Sequence, residues 1–554
     1  MLVNIFLGLI VCGLGSMLLR REKNSHLPSL LLLAIVSFLL ANFYENWMIG
    51  YSDKFTYQWI QSAYYPVNIN LYSTAQHYGI IFPFFIITVL SMLYNSLYHR
   101  EENKLHLNAS AAMSLAALIL LICSENYIQL LVSACVIDIF GFYIINDAMS
   151  RRRYIFYNLL ADAGLFMLFA IIWAYLHSIK LVDLAQYGRL GAHKDLVAIL
   201  LLLCIFIKSG LFLFQTPMLD LQPLELNRIN LISWLSTPVA GLVLLGKTAA
   251  LLPISAYAVP LLQTIAAASV LWGLIGILIM DDIRLKSIYF NLIFYGFLYG
   301  LLSIGIELDN SRMGQLLVLM FLFGSCLLMI TVASSNELYL SCMGGFIRNL
   351  KLSFLVTLIV VGAILQNLAQ WYADGYIWWS VGFAAAFMLG SSYLLHQAYL
   401  GACRADERVR ALLRDPNLIY GLTIGSVAGW IGWHSHYCSP ALWYAGLAFV
   451  FLLLTNPLRG FRIFYDKEKL QQADYFSGFY DIFIISPIKI LGRILWLTID
   501  FLIIEKTIIT FLDKTMRLLI ALFAKLHTNS LRGYLFFLFV GTVMAAAACW
   551  LGGK

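Results

Sequence analysis

Charge is scarce in this 554-residue chain: Asp, Glu, Lys and Arg together make up 12% of it, against 61% hydrophobic residues. A water-soluble globule cannot cover its surface with so few polar groups, which excludes the ordinary soluble enzyme classes. The nine cysteines form no C-x-x-C pair, and most of them (Cys12, Cys123, Cys135, Cys204, Cys326) lie inside apolar runs. That excludes a ferredoxin-type iron–sulfur ladder and argues against a disulfide framework. Walker A, Rossmann, haem-attachment and flavin patterns are also lacking, so no cofactor is expected to bind and any redox chemistry belongs to other chains. His434, His436 and Cys438 share one polar turn, but two His at i, i+2 with a single thiol make a poor metal pattern. The segment reads as a plain loop, and no metal is expected. No small-residue cleavage site follows the first apolar run: Leu2 to Leu19 leads directly into Arg20, Arg21 and Lys23, as an uncleaved helix would.

What the chain does have is length of apolar sequence. Hydrocarbon about 30 Å thick needs about twenty apolar residues per helix, and the runs here are too long and continuous for barrel strands. Candidate spans are 2–19, 27–44, 76–95, 107–123, 126–146, 154–176, 196–214, 229–251, 255–279, 286–306, 313–333, 352–370, 377–400, 417–434, 440–456 and 533–551, about sixteen in all. The net charge of +7 is scattered over short loops, which suits orientation in a bilayer and not a nucleic-acid groove. Arg20/Arg21/Lys23, His99/Arg100/Lys104, Arg151/Arg152/Arg153, Arg284/Lys286, Arg348/Lys351, Arg404/Arg408/Arg410/Arg414 and Arg459/Arg462/Lys467/Lys469 all follow odd-numbered spans. Loops after even spans are poor in Lys and Arg apart from Lys180, Arg189 and Lys194. The positive-inside rule then puts both termini outside and the basic loops in the cytoplasm, in a multi-pass protein of the cell inner (cytoplasmic) membrane.

One apolar segment does not read as a span. Between Pro487 and His527, Arg493, Asp500, Thr507 and Lys514 recur every seven residues, with Lys489 and Arg517 beside them. That repeat keeps them on one helical stripe. A helix of this length would measure about 60 Å, twice the hydrocarbon thickness, so it should lie along the membrane. Two short spans with a hairpin near Glu505 and Lys506 are the alternative, but no Gly, Pro or Asn marks a turn there.

Ionisable residues within spans are costly and mark ion paths or inter-helix pairs. Here they are Asp138, Asp162, Lys208 and Lys247, with Asp220 at a cytoplasmic edge. These five are the proton-path candidates; no catalytic residue is expected. Asp138 and Lys208 read either as parts of a relay or as a pair holding the fifth and seventh helices together. Asp162 is expected to pack against a helix neighbour or cap the cytoplasmic side, and Lys247, near the outer end of its span, to snorkel to the surface. Trp371, Trp378 and Trp379 suit an interfacial belt.

The surroundings of these charges resemble the antiporter-like membrane subunits of respiratory complex I and the related multisubunit cation/proton antiporters, with the L subunit (subunit 5 in mitochondria) nearest. Glu125-Asn126-Tyr127-Ile128-Gln129-Leu130-Leu131 resembles the family's "(A/S)-(D/E)-N-L-L-x-(L/M)". Lys208-Ser209, then Gln215-Thr216, then Asp220 is similar to "G-K-S-A-Q-x-P-x-x-x-W-L-x-D-A-M", with the same spacing from Lys to Asp. Asp281-Asp282-Ile283-Arg284 with Tyr289 and Gly296 is similar to "x-D-I-K-R-x-L-A-Y-S-T-x-S-Q-x-G", and Met343-Gly344-Gly345 to "M-G-G-L". Tyr475 to Asp481, Pro487 and Leu531-Arg532-Gly533-Tyr534 resemble the L subunit's C-terminal end. The resemblance implies an all-α polytopic membrane protein of the complex I antiporter-like fold plus a long lateral amphipathic helix. Its expected divisions are N-terminal helices (1–106), antiporter-like core helices (107–334), C-terminal helices (335–470), the lateral helix (471–531) and a C-terminal anchor helix (532–554).

Departures from the family bear on function. The fifth-span glutamate of "W-E-x-x-G" falls on Cys135, with Ala134 for the Trp, and Asp138 lies one turn further on. The proline-rich approach to the family's broken eighth helix reads Leu224 to Ser233, without its prolines and histidine. The eleventh span carries Val318, Leu322 and Cys326 where the family has titratable residues, and no "F-F-S-K-D-E" occurs in or after the twelfth. The resemblance implies a diverged L-like subunit of a proton-translocating NADH:quinone oxidoreductase, its proton path partly lost, among other membrane subunits of a complex I-like assembly. The alternatives are a non-pumping structural paralogue and a subunit of a cation/proton antiporter or related ion-uptake complex.

Overall fold

The computed structural model describes residues 2–18, 26–60, 67–98, 104–183, 193–307, 311–333, 338–340, 343–346, 350–400 and 418–434, with short pieces at 446, 448–450, 452–454, 490 and 513–518. The chain divides into two units, Met1–Gln471 and Gln472–Lys554. In the second, a helical stretch over 513–518 carries an Asp513–Arg517 ion pair of 2.9 Å. The predicted lateral helix, with Arg493, Asp500 and Thr507, and the anchor span 533–551 lie otherwise outside the described residues, as does most of span 440–456.

Helices dominate the first unit. They run α1 Leu2–Leu18, α2 His26–Met48, α3 Ala75–Tyr98, α4 Lys104–Ile122, α5 Tyr127–Ile144, α6 Ala148–Leu176, α7 Lys194–Ser209 and a short α8 Thr216–Leu219. After these come α9 Leu226–Leu235, α10 Thr237–Thr248, α11 Ala258–Ile279, α12 Ile283–Ser303, α13 Ser311–Ala333, α14 Lys351–Ala373, α15 Ile377–Leu395 and α16 Leu418–His434. Eleven helical stretches among the described residues are long and apolar enough to cross a membrane. The protein is a polytopic helical membrane protein.

Burial separates inner from outer helices. From Lys286 to Ser303 α12 is enclosed, whereas α6 exposes Leu159, Phe166, Met167 and Trp173 as a lipid-facing helix does. Rings knit the centre: Phe297 stacks on Phe383 at 4.2 Å, and Phe290 meets Phe323 edge-on at 4.7 Å.

Three features differ from the sequence reading. Residues between the second and third spans form an antiparallel hairpin, β1 Asp53–Ile60 and β2 Val67–Ser73. The alternation Phe55, Tyr57, Trp59 is the period-two signal for it, masked by the apolar runs on either side. Second, the span read continuously over 229–251 is two helices, α9 and α10, separated at Ser236 (φ −128°, ψ −143°). Pro238, at the start of α10, has no N–H to continue the ladder from α9, so the helix breaks without the family's prolines. Third, Lys286 is no loop residue. It is fully buried in α12, donates to the Ile277 carbonyl at 2.5 Å, and sits 4.7 Å from the Tyr393 ring centre. A lysine at the last turn of α11 finds unfilled carbonyls and the negative end of that helix.

Candidate functional site

The site rests on α5, which is fixed at both ends. Asn126 caps it by accepting from the Gln129 N–H at 2.7 Å, and donates from Nδ2 to the Asn68 carbonyl of β2 at 2.6 Å. Gln129 then pairs with the Asn70 backbone in both directions, at 3.0 and 2.9 Å. At the other end, the Ile144 carbonyl accepts from Arg228 at 2.5 Å and the Ile145 carbonyl from Arg151 at 2.6 Å. Carbonyls orphaned at a helix C-terminus are thus filled by two cations, a favourable match to the helix dipole. Asp138 lies between these clamps.

Lys208 occupies the last turn of α7, where Gly210 takes the left-handed conformation (φ +62°) and ends the helix inside the bundle. Its ammonium lies 2.7 Å from Asp138 Oδ2 and 2.7 Å from Asp162 Oδ1 of α6. The side chain of Lys208 is 0% exposed, and those of Asp138 and Asp162 are 4% and 8% exposed. Asp162, expected to pack against a helix neighbour or cap the cytoplasmic side, meets α7 as the second carboxylate on the lysine. Cys135, in the slot of the family's glutamate, donates from Sγ to Asp162 Oδ2 at 3.3 Å and so joins the rim of the cluster.

Charge counting says what such a cluster can do. One ammonium and two carboxylates sum to −1; one added proton makes the cluster neutral. A net charge enclosed in a low-dielectric bundle is expensive, so the site couples proton occupancy to electrostatic cost. Asp138 Oδ1 accepts no hydrogen bond among the described residues, and Lys208 meets Asp162 Oδ1 off the hydrogen-bonding direction. Acceptor capacity is left over.

Hydroxyls flank the triad. Tyr154 and Ser236 hydrogen-bond at 2.7 Å, both pressed against Gly141, one turn from Asp138 toward the basic-loop end of α5. A Cβ at Gly141 would overlap both oxygens. Ser236 is the break residue between α9 and α10, so the unwound turn delivers its hydroxyl to the triad's neighbourhood. Ser209 hydrogen-bonds Tyr299 of α12. At the face of the basic loops Arg153 pairs with Asp220 at 2.5 Å, and the Ser150 hydroxyl lies between Asp147 (2.7 Å) and the Asp220 carbonyl (2.6 Å).

Of the five sequence candidates, Asp138, Asp162 and Lys208 converge and Asp220 stands apart at the rim. Lys247 is half-buried at the end of α10 and lines a cavity of about 370 Å³ with His77 and Glu307, where snorkelling to the surface was expected. Tyr154, Ser236 and Tyr299 were missed. Polar residues scattered over separate helices give no spacing signal, and only packing brings them together.

No protein-family model and no curated protein matches the chain. Its fold does match solved structures. A chain of the Mrp complex from Dietzia sp. DQ12-45-1b is similar at 14% identity and TM-score 0.63, over 100% of this chain and 63% of that one. A chain of the membrane-bound sulfane sulfur reductase, an archaeal respiratory membrane complex, is similar at 13% identity and TM-score 0.65, over 98% and 99%. This chain thus spans less than two thirds of the length of the first. At such identities the likeness establishes fold and leaves activity to the site. The protein is a multi-pass helical membrane protein that shares its fold with chains of the Mrp complex and of the membrane-bound sulfane sulfur reductase.

Proposed function

We propose that this chain is a proton-translocating, antiporter-like subunit of a multisubunit membrane complex, with Lys208, Asp138 and Asp162 as its central proton-binding group. The observation that carries the reading is the enclosed lysine shared by carboxylates from two different helices, beside a helix broken in mid-bundle. Protons reach it from the cytoplasm past Arg153–Asp220 and the Tyr154–Ser236 hydroxyls, the positive-inside rule setting the direction. Cofactors and redox chemistry reside in partner subunits. Within this reading the L-like position in a complex I-type NADH:quinone oxidoreductase is favoured by the order and spacing of the Lys208–Asp220, Asp281–Gly296 and Met343–Gly345 motifs.

Partners are tested by mild detergent extraction and mass spectrometry: co-purification with subunits of a redox or antiporter complex supports the assignment, and a monomer refutes it. Flux is tested on that complex in vesicles under an imposed pH gradient, where Lys208→Met with Asp138→Leu and Asp162→Leu should assemble and conduct no protons.

A second reading, a structural paralogue without transport, is favoured by α13, where Val318, Leu322 and Cys326 are buried and offer no lateral relay. Full proton flux through the triple variant would favour that reading.

A further inference from the structure

The onward route from Lys208 is the question the apolar α13 raises. We infer that protons leave outward, through the Ser209–Tyr299 hydroxyl pair into the cavity bounded by Lys247, His77 and Glu307, and not sideways along the bundle. The inference rests on the proposed translocation function.

Ser209 follows Lys208 directly, and its hydroxyl hydrogen-bonds that of Tyr299, a residue wholly enclosed in α12. Each hydroxyl both donates and accepts, so the pair can hand on a proton by rotation while staying neutral on average. That matters in hydrocarbon, where a permanently charged relay group would need its own partner. Gly241 of α10 makes room for the pair: a Cβ there would overlap Ser209 Oγ and lie 3.1 Å from the Tyr299 oxygen.

The cavity begins one turn beyond. Leu302 on α12 and Val243 on α10 line its inner part, three and two residues on from Tyr299 and Gly241. At 1.5 Å per residue the gap is about 5 Å, within reach of one or two bridging waters. Ile306, Glu307, Lys247 and His77 line it further out. The Glu307 carboxylate, which takes up a proton by losing charge, can accept a released one. The ammonium of Lys247 makes the same space unfavourable to an alkali cation, so the exit selects for protons.

Three measurements on the intact complex in vesicles, under an imposed pH gradient, test the route. Tyr299→Phe keeps the ring and removes the oxygen; flux should fall at least tenfold while assembly is unchanged. Ile306→Cys, labelled from outside with an impermeant thiol reagent, should lose flux on labelling and regain it on reduction, with the unsubstituted complex as control for native cysteines. The Lys208, Asp138, Asp162 triple variant is the third. If the triple variant abolishes flux while Tyr299→Phe and the labelled Ile306→Cys keep theirs, the outward exit is overturned and the parent reading stands. If the triple variant conducts, both fall. Should Tyr299→Phe fail to assemble, the labelling result decides alone.

Discussion

Asp162 of α6 lies 2.7 Å from the ammonium of Lys208, as close as Asp138 of α5, so one lysine ties together three helices. Each change that unbalances the three exposes a buried charge, and the penalty depends on what is left behind, not on what was removed.

Lys208→Ala leaves two carboxylates facing each other and should cost about 3–5 kcal/mol, seen as a lower melting temperature of the detergent-solubilised complex or as lost assembly. Lys208→Met with Asp138→Leu still strands Asp162, so it recovers only part of the loss. Adding Asp162→Leu should recover most of it. A double variant as stable as the triple would show that Asp162 is not a true partner of the lysine.

Gln129→Ala removes a side chain that bonds both the N–H and the carbonyl of Asn70. Freeing two buried backbone groups should cost about 2–3 kcal/mol. Proteolysis within the β1–β2 hairpin should accelerate, and proton flux should fall as Asp138 loses its fixed height. Unchanged proteolysis would mean that the hairpin does not anchor α5.

Orientation follows from the basic loops. Met149→Cys, exposed beside Arg151 to Arg153, should resist an impermeant thiol reagent applied to intact cells, and Tyr257→Cys, exposed at the other face, should react. Reversed labelling would invert the topology and turn the proposed exit into an inlet.

Asp147 caps α6 from outside the membrane spans. The Ser150 backbone N–H and hydroxyl hold its carboxyl below the usual carboxylate range. A carboxyl depressed on folding stabilises the fold above its unfolded-state value, and the contribution is lost as pH falls through the folded one. Asp147→Ala should therefore lower the melting temperature near neutrality, and the gap to the unsubstituted protein should narrow in acid. A gap that widens in acid would contradict the cap.

Much of the bundle was legible in advance because a bilayer imposes a length: fourteen predicted spans, from 2–19 through 417–434, coincide with described helices to within a few residues, apart from the divided eighth. Lys208 and Asp138 were legible as well, since an ionisable residue in a long apolar run stands out by its cost. The sequence alone also carried the alternating basic loops, which bear on orientation through each loop's own composition. Partnership was another matter. Asp162, Cys135 and Lys208 lie on three helices with no common spacing, and only packing brings their side chains within hydrogen-bonding distance. The break at Ser236 escaped notice because apolar composition runs through it unaltered, while Pro238 alone interrupts the ladder. Lys286 read as a loop cation because charge next to an aspartate looks solvated; its burial depends on the α11 carbonyl and the Tyr393 ring, which other helices supply. Composition and run length act along the chain, so the sequence decided which segments enter the membrane. Contacts between segments act across it, and those the tertiary structure alone decided.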